Sequence, residues 1–304
     1  MKNLLDIEMI AVEDINAVLK KADFYKKVLQ SNTTPSSVLE NKIILNMFFE
    51  NSTRTLTSFQ MAAYRLGAKI VNWDVSSSSL TKGETLSDTI QCVAGYGFDA
   101  AVVRHSEFKA PYTVQKLINC PVINAGDSWR AHPSQALLDA YTIQSLKGCI
   151  DGLRVAICGD VAHSRVASSN VELFGKMGAE VHIVAPPALL PDMSKKSHVK
   201  TFDTLEDGLV GCDVVMMLRN QKERMEAADV PDDTEYFHAY GLTQERLASA
   251  KPDAIVMHPG PMNRNVEISD DVADDPARSK IFEQMANGLP TRMAIFDLIL
   301  SGER

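Results

Sequence analysis

The chain has 304 residues, 45% of them hydrophobic, and a formal net charge of −8. That content suffices for cores in two domains, while the acidic balance excludes a general nucleic-acid or anionic-membrane surface; cations for any anionic ligand must be gathered locally. No apolar run reaches transmembrane length and the first residues, Met-Lys-Asn-Leu-Leu-Asp-Ile-Glu, carry acids where a signal peptide is apolar, so the expectation is a cytoplasmic protein with no membrane or nucleic-acid partner.

Ile15, Val18, Leu19, Ala22, Tyr25 and Val28 share one face of a predicted helix over 14–29. Residues 42–49 form an apolar, β-prone run, and Phe59, Ala62, Ala63 and Leu66 then recur at helical spacing until Gly67. Further strands are predicted at 68–73, 99–104 and 121–124, with helices at 86–96 and 132–144. A serine run at 76–79 has the composition of a linker. A turn-rich break at 147–152 separates this half from a second one. There, strands are expected at 153–158, 180–184, 213–218 and 254–257, with a helix at 166–177. Residues 220–240 read as a mobile surface loop, and Pro290 as the opening of a last helix to Leu300. Short alternation of strand and helix predicts an α/β protein with two doubly wound parallel-sheet domains and the active site in the cleft between them. The expected domains are 1–148, with the helix at 290–304 docking back on it, and 149–289. Cys92, Cys120, Cys149, Cys158 and Cys212 are widely spaced, form no Cys-x-x-Cys pair and read as reduced packing residues.

Ligands of open α/β sheets collect beyond the carboxyl ends of the strands. Ser52, Thr53, Arg54 and Thr55 follow the first strand and open a helix, which assembles backbone N–H groups, hydroxyls and a guanidinium as a phosphate dianion requires. Taken alone, such a segment is more often an ordinary N-cap followed by a solvated arginine. The other strand ends shift that balance. Lys82 follows the serine run, Arg104 ends the third strand, and His132 and Gln135 open the helix after the fourth. In the second half, Arg165, then Arg219 with Gln221, then His258, Pro259, Gly260 and Pro261 stand at equivalent places.

Phe-Phe-Glu-Asn-Ser-Thr-Arg-Thr, Ser-Leu-Thr-Lys-Gly-Glu-Thr, Val-Val-Arg-His, His-Pro-Ser-Gln-Ala-Leu-Leu-Asp, Leu-Arg-Asn-Gln-Lys-Glu-Arg and His-Pro-Gly-Pro-Met-Asn-Arg together resemble the aspartate/ornithine carbamoyltransferase family over nearly the whole chain. His-Pro-Gly-Pro, Lys82 and the Arg219 and Gln221 pair are similar to the aspartate branch. The ornithine branch has a His-Cys-Leu-Pro type sequence at 258–261. The resemblance implies that carbamoyl phosphate and L-aspartate give N-carbamoyl-L-aspartate and phosphate, an early step of pyrimidine synthesis. It implies carbamoyl phosphate on Ser52, Thr53, Arg54, Thr55, Arg104, His132, Gln135 and the carbonyls of Gly260 and Pro261. Aspartate falls to Lys82, Arg165, Arg219 and Gln221. Thr55, Arg104 and His132 would face the oxyanion built by amine attack, with Arg54 as the phosphate's fork. No metal, cofactor or protein nucleophile is expected, since the departing phosphate can take the amine proton. The family works as a homotrimer in which the Lys82 loop reaches a neighbour's active site; regulatory chains or other pathway enzymes are further partners to look for.

Asn265 departs from the family's usual Gly, at a position where positive φ would suit Asn, and Leu56 replaces a common Arg. Ser78 and Ser79 both offer a loop hydroxyl. A nucleotide-dependent oxidoreductase is disfavoured because Gly159-Asp160-Val161-Ala162-His163 lacks Gly-x-Gly-x-x-Gly spacing. A non-catalytic scaffold is disfavoured because Arg54, Lys82, Arg104 and His132 are all present.

Overall fold

A computed structural model of the chain describes residues 1–31, 37–73, 83–221 and 232–301. In chain order the elements are α1 (Val12–Gln30), β1 (Ile43–Phe48), α2 (Thr53–Arg65), β2 (Lys69–Trp73), α3 (Leu86–Ala94), β3 (Ala100–His105), α4 (Ala110–Leu117), β4 (Val122–Asp127), α5 (Pro133–Lys147) and β5 (Arg154–Cys158). They continue with α6 (Arg165–Lys176), β6 (Glu180–Val184), β7 (Val199–Phe202), α7 (Leu205–Gly208), β8 (Val214–Met217), α8 (Asp233–Tyr240), α9 (Gln244–Leu247), β9 (Ile255–Met257), α10 (Asp270–Ala273) and α11 (Ile281–Leu300). The chain divides into two compact units, one of Met1–Tyr141 with Asn287–Arg304, the other of Thr142–Ala286.

The first unit holds a parallel sheet in the order β2-β1-β3-β4. Its central strand, Ile-Ile-Leu-Asn-Met-Phe, is nearly continuous in apolar residues because both faces are covered. Leu45, Met47, Ala101, Val103 and Val122 pack with Ile90 of α3 and Val114 of α4. The second unit holds a parallel sheet in the order β7-β6-β5-β8-β9. Ala156, Cys158, Val215, Met217 and Val256 form its core with Leu205 and Leu209.

Three expectations need correction. Residues 220–240 are not loop throughout, since Asp233–Tyr240 is helical and Asp232 caps it, accepting the Thr234 N–H at 2.8 Å. Pro290 does not open the last helix. It lies inside α11, whose flanks are held by burial of Ile281, Met293, Ala294 and Phe296, and Thr291 Oγ1 donates to the Asn287 carbonyl at 2.7 Å beside it. Cys158 and Cys212 are buried packing residues, but Cys92 and Cys149 are exposed. No described helix is long and apolar enough to cross a membrane.

Candidate active site

In a doubly wound sheet, a crevice opens where successive crossovers leave a strand in opposite directions. In the first unit that point lies between β1 and β3, because β2 flanks β1 on one side and β3 on the other. Residues 52–55 leave β1 and Arg104 ends β3; the two strands are joined there by the Phe49 N–H donating to the Arg104 carbonyl at 2.9 Å.

Ser52 is the N-cap of α2, yet its hydroxyl makes no capping bond. The first intrahelical bond is from Leu56 N–H to the Ser52 carbonyl at 3.1 Å, so the N–H groups of Thr53, Arg54 and Thr55 precede the helical ladder. No acidic residue lies in the first turn, and the positive end of the helix is left to a ligand. Thr55 is buried, whereas Thr53 and Arg54 are exposed. Arg104 Nε donates to Glu50 Oε2 at 3.1 Å and its Nη1 to the Ala125 carbonyl at 3.4 Å. These bonds fix the guanidinium against the end of β4. His132 caps α5, its carbonyl accepting from Gln135 N–H at 3.0 Å and Ala136 N–H at 3.2 Å. Its buried ring places Nδ1 3.4 Å from Ser134 Oγ. Thus Ser52, Thr53, Arg54, Thr55, Arg104, His132 and Gln135 all stand at one edge of one sheet.

In the second unit the reversal lies between β5 and β8. Gly159 follows β5 with φ +117°, and a Cβ there would sit 3.0 Å from the Leu218 carbonyl oxygen and 3.2 Å from the Tyr236 hydroxyl. Only glycine fits that turn. Asp160, fully buried, accepts from His163 N–H at 3.2 Å, lies 2.9 Å from His163 Nδ1, and accepts from Gln221 N–H at 3.4 Å. Gln221 Nε2 donates to the His163 carbonyl at 3.1 Å. Ser164 caps α6 by accepting from Ala167 N–H at 3.2 Å, and Arg165 begins that helix nine-tenths buried. Arg219 is half-buried just past β8. Arg165, Arg219 and Gln221 are therefore neighbours in the topology of this second sheet edge.

Past β9, Gly260 has φ +69° and the Gly260–Pro261 peptide is cis. Gly260 N–H donates to His258 Nδ1 at 2.9 Å, so the ring hydrogen is on Nε2, 3.1 Å from Glu267 Oε1. His258 is thus a buried strut for the turn that presents the Gly260 and Pro261 carbonyls. Lys82, Ser78 and Ser79 lie outside the described residues. Among the described residues, no group of three or more His, Cys, Asp or Glu could hold a metal ion.

Sequence reasoning assigned no role to Glu50 or Asp160. The available signal was position: each is a carboxylate within two residues of a strand end that carries cationic residues, where it can orient rather than bind.

Two family models account for nearly the whole chain. The aspartate/ornithine carbamoyltransferase carbamoyl-P binding domain matches residues 2–145, and the Asp/Orn binding domain of the same family matches residues 151–299. The chain belongs to the aspartate/ornithine carbamoyltransferase family. Among its relatives in the family, the aspartate carbamoyltransferase catalytic subunit of Granulibacter bethesdensis is 50% identical over 98% of this chain and 94% of its own. The corresponding subunit of Rhodospirillum centenum is 48% identical over 100% and 95%. A crystal structure of aspartate transcarbamoylase from Trypanosoma cruzi, in complex with carbamoyl aspartate and phosphate, superposes with a TM-score of 0.89 at 33% identity, covering 98% of this chain and 96% of its own. Ornithine carbamoyltransferase from Pyrococcus furiosus reaches a TM-score of 0.90 at 28% identity, covering 100% and 98%. The carbamoyltransferase fold alone therefore does not separate the two acceptors; sequence identity favours the aspartate branch.

Proposed function

We propose that this chain transfers the carbamoyl group of carbamoyl phosphate to the amine of L-aspartate, giving N-carbamoyl-L-aspartate and phosphate in pyrimidine synthesis in the cytoplasm. The observation that carries the reading is the uncapped, acid-free N-terminus of α2 beside Arg104, His132 and Gln135 at one strand-end crevice. The identity to aspartate carbamoyltransferase catalytic subunits chooses the acceptor.

In this reading the N–H groups of residues 53–55, the hydroxyls of Ser52, Thr53 and Thr55, and the Arg54 fork hold the phosphate, with Arg104 as second cation. Arg104 is kept in position by Glu50 and the Ala125 carbonyl. The amine nitrogen of aspartate attacks the carbamoyl carbon, and the carbonyl π pair moves onto oxygen. Thr55, Arg104 and His132 stabilise that oxyanion. In this reading His132 donates to the oxyanion as a neutral imidazole, as a helix N-terminus favours. Collapse expels phosphate with the C–O bonding pair, and the phosphate takes the amine proton. Gln135 and the carbonyls of Gly260 and Pro261 face the carbamoyl NH2. Arg165 and Arg219 each take an aspartate carboxylate, with Lys82 as a further cation. Gln221 gives one N–H of its amide to the His163 carbonyl, and its own carbonyl accepts from the substrate amine. The working form is a homotrimer, with regulatory chains or other pathway enzymes as further partners.

A colorimetric assay for carbamoylated product, with L-aspartate or L-ornithine beside carbamoyl phosphate, tests the reading. Turnover with aspartate alone is expected, and Arg54→Ala is expected to lower kcat by about a thousandfold, the scale of losing a charged donor on the transition state. Turnover with ornithine would overturn the acceptor; full activity of Arg54→Ala would overturn the phosphate site.

A further inference from the structure

Gln135 does not stand alone on its helix. One turn further along α5, its Nε2 donates to Asp139 Oδ1 at 2.9 Å, and Asp139 is fully buried. A carboxylate offers only acceptors, so it can hold the NH2 end of the amide and not the oxygen end. Gln135 is 8% exposed and its Oε1 takes no hydrogen bond within the described protein. The oxygen is the end left for a ligand.

Behind Asp139 lies Arg292 of α11, 4% exposed. Its guanidinium sits 4.9 Å from the Phe59 ring centroid, and its Nε has no hydrogen-bond partner. Burial holds its pKa down at about 10, against the opposing pull of the Asp139 charge. The helix is built around this side chain: a Cβ on Gly288 would lie 2.6 Å from Arg292 Nη1. A buried cation thereby faces the buried carboxylate that holds the Gln135 amide.

We propose that Asp139, with Arg292 behind it, is a positioning residue that fixes Gln135 with its oxygen toward the ligand, so that the site selects an acyl phosphate bearing N–H donors over one bearing a methyl group. The substrate end recognised is the NH2 of a carbamoyl phosphate, and the rejected analogue is acetyl phosphate. The inference rests on the carbamoyl-phosphate reading given above. Without the carboxylate, the two ends of the Gln135 amide become nearly equivalent in shape, and the flipped form opposes NH2 to NH2.

Titration calorimetry of carbamoyl phosphate, acetyl phosphate and inorganic phosphate tests this on wild-type protein, Asp139→Asn and the double variant Asp139→Asn/Arg292→Met. The double variant removes the cation that Asp139→Asn strands in the core. The wild type is expected to favour carbamoyl over acetyl phosphate. In each variant that unfolds cooperatively, carbamoyl phosphate is expected to weaken about tenfold, the scale of one buried hydrogen bond to a charged group, while the other two ligands change by less than about twofold. Equal weakening of all three ligands, unchanged carbamoyl phosphate affinity, or a wild type that binds acetyl and carbamoyl phosphate alike overturns the inference and leaves the substrate reading intact. Wild-type protein that binds none of the three overturns the substrate reading, and the inference with it.

Discussion

Glu180, at the first position of β6, gathers three nitrogens around one carboxylate: Arg154 Nε at 2.9 Å, His182 Nε2 at 2.9 Å and Lys200 Nζ at 2.7 Å. The hydrogen bond from Lys200, followed by that from His182, holds its pKa down at about 2 against an ordinary value of 4.5. The folded protein therefore binds this proton more weakly than the unfolded chain. The carboxylate's contribution to stability is complete above 4.5 and disappears as pH falls through about 2. Glu180→Gln should unfold at lower temperature than wild type at about pH 6, and the gap should narrow by about pH 3. Parallel melting curves check this, and a gap independent of pH would contradict it. The side chain is a third exposed, so solvent screening keeps the gap modest. At this scale, single positions were legible where a backbone constraint was involved. Asn265 adopts φ +59°, as expected of a site suited to glycine, and its side chain bonds Asp270 on both sides of the turn. The Glu50 and Asp160 partnerships were not legible, because a carboxylate that orients a neighbour has the same sequence appearance as one that faces water.

The elements that carry the candidate site share one trait: α2, α5 and α6 have no acid in the first turn, and neither does α4, whereas α1, α3, α7, α8, α9, α10 and α11 each have one or more. That trait predicts opposed effects of one substitution. Ser52→Asp supplies the missing cap and an anion at the positive end of α2, which should raise stability by about 0.5–1 kcal/mol. The same carboxylate occupies the place meant for phosphate and should abolish phosphate binding. Thermal melting and phosphate titration on one sample test both, and a variant that gains stability while keeping phosphate affinity would refute the site. Sequence periodicity located most of the long elements to within a few residues, but it cut the first nine residues from α11 and missed α4, α7, α8, α9, α10 and β7. Three of those helices are four residues long. β7 is a sheet-edge strand, Val-Lys-Thr-Phe, without a continuous apolar run, and α4 is entered through Lys109 at φ +61°, which no propensity signals. The helix start assigned to Pro290 came from proline's preference for a first turn, and packing along α11 overrode it.

Across the whole molecule, each sheet reverses its winding once, between β1 and β3 and between β5 and β8, and each reversal gathers one set of candidate binding residues. The alternation of strand and helix made the two parallel sheets legible; strand order was not, because it is fixed by which edges the crossovers cover. Hydrogen exchange can resolve the division of labour. Carbamoyl phosphate alone should slow amide exchange at 52–56 and 132–136, whereas 159–166 and 217–221 should respond only when aspartate or a dicarboxylate analogue is added. Early protection of 159–166 by carbamoyl phosphate alone would reverse the assignment of substrates to sheets.

The first unit is closed by its own far end. Tyr25 hydroxyl donates to Asp297 at 2.7 Å, Lys21 Nζ lies 2.8 Å from the same carboxylate, and the Phe59 and Phe296 rings meet edge to face at 5.6 Å. On the ribosome, where residues emerge at roughly 5–20 per second, the second unit has its full complement of chain at Ala286, while the first still lacks the segment that seats on α1 and α2. The half of the protein that is translated first is thus the half that finishes last, and the apolar seat of Phe296 stays open to chaperones, or to another nascent chain, until α11 has emerged.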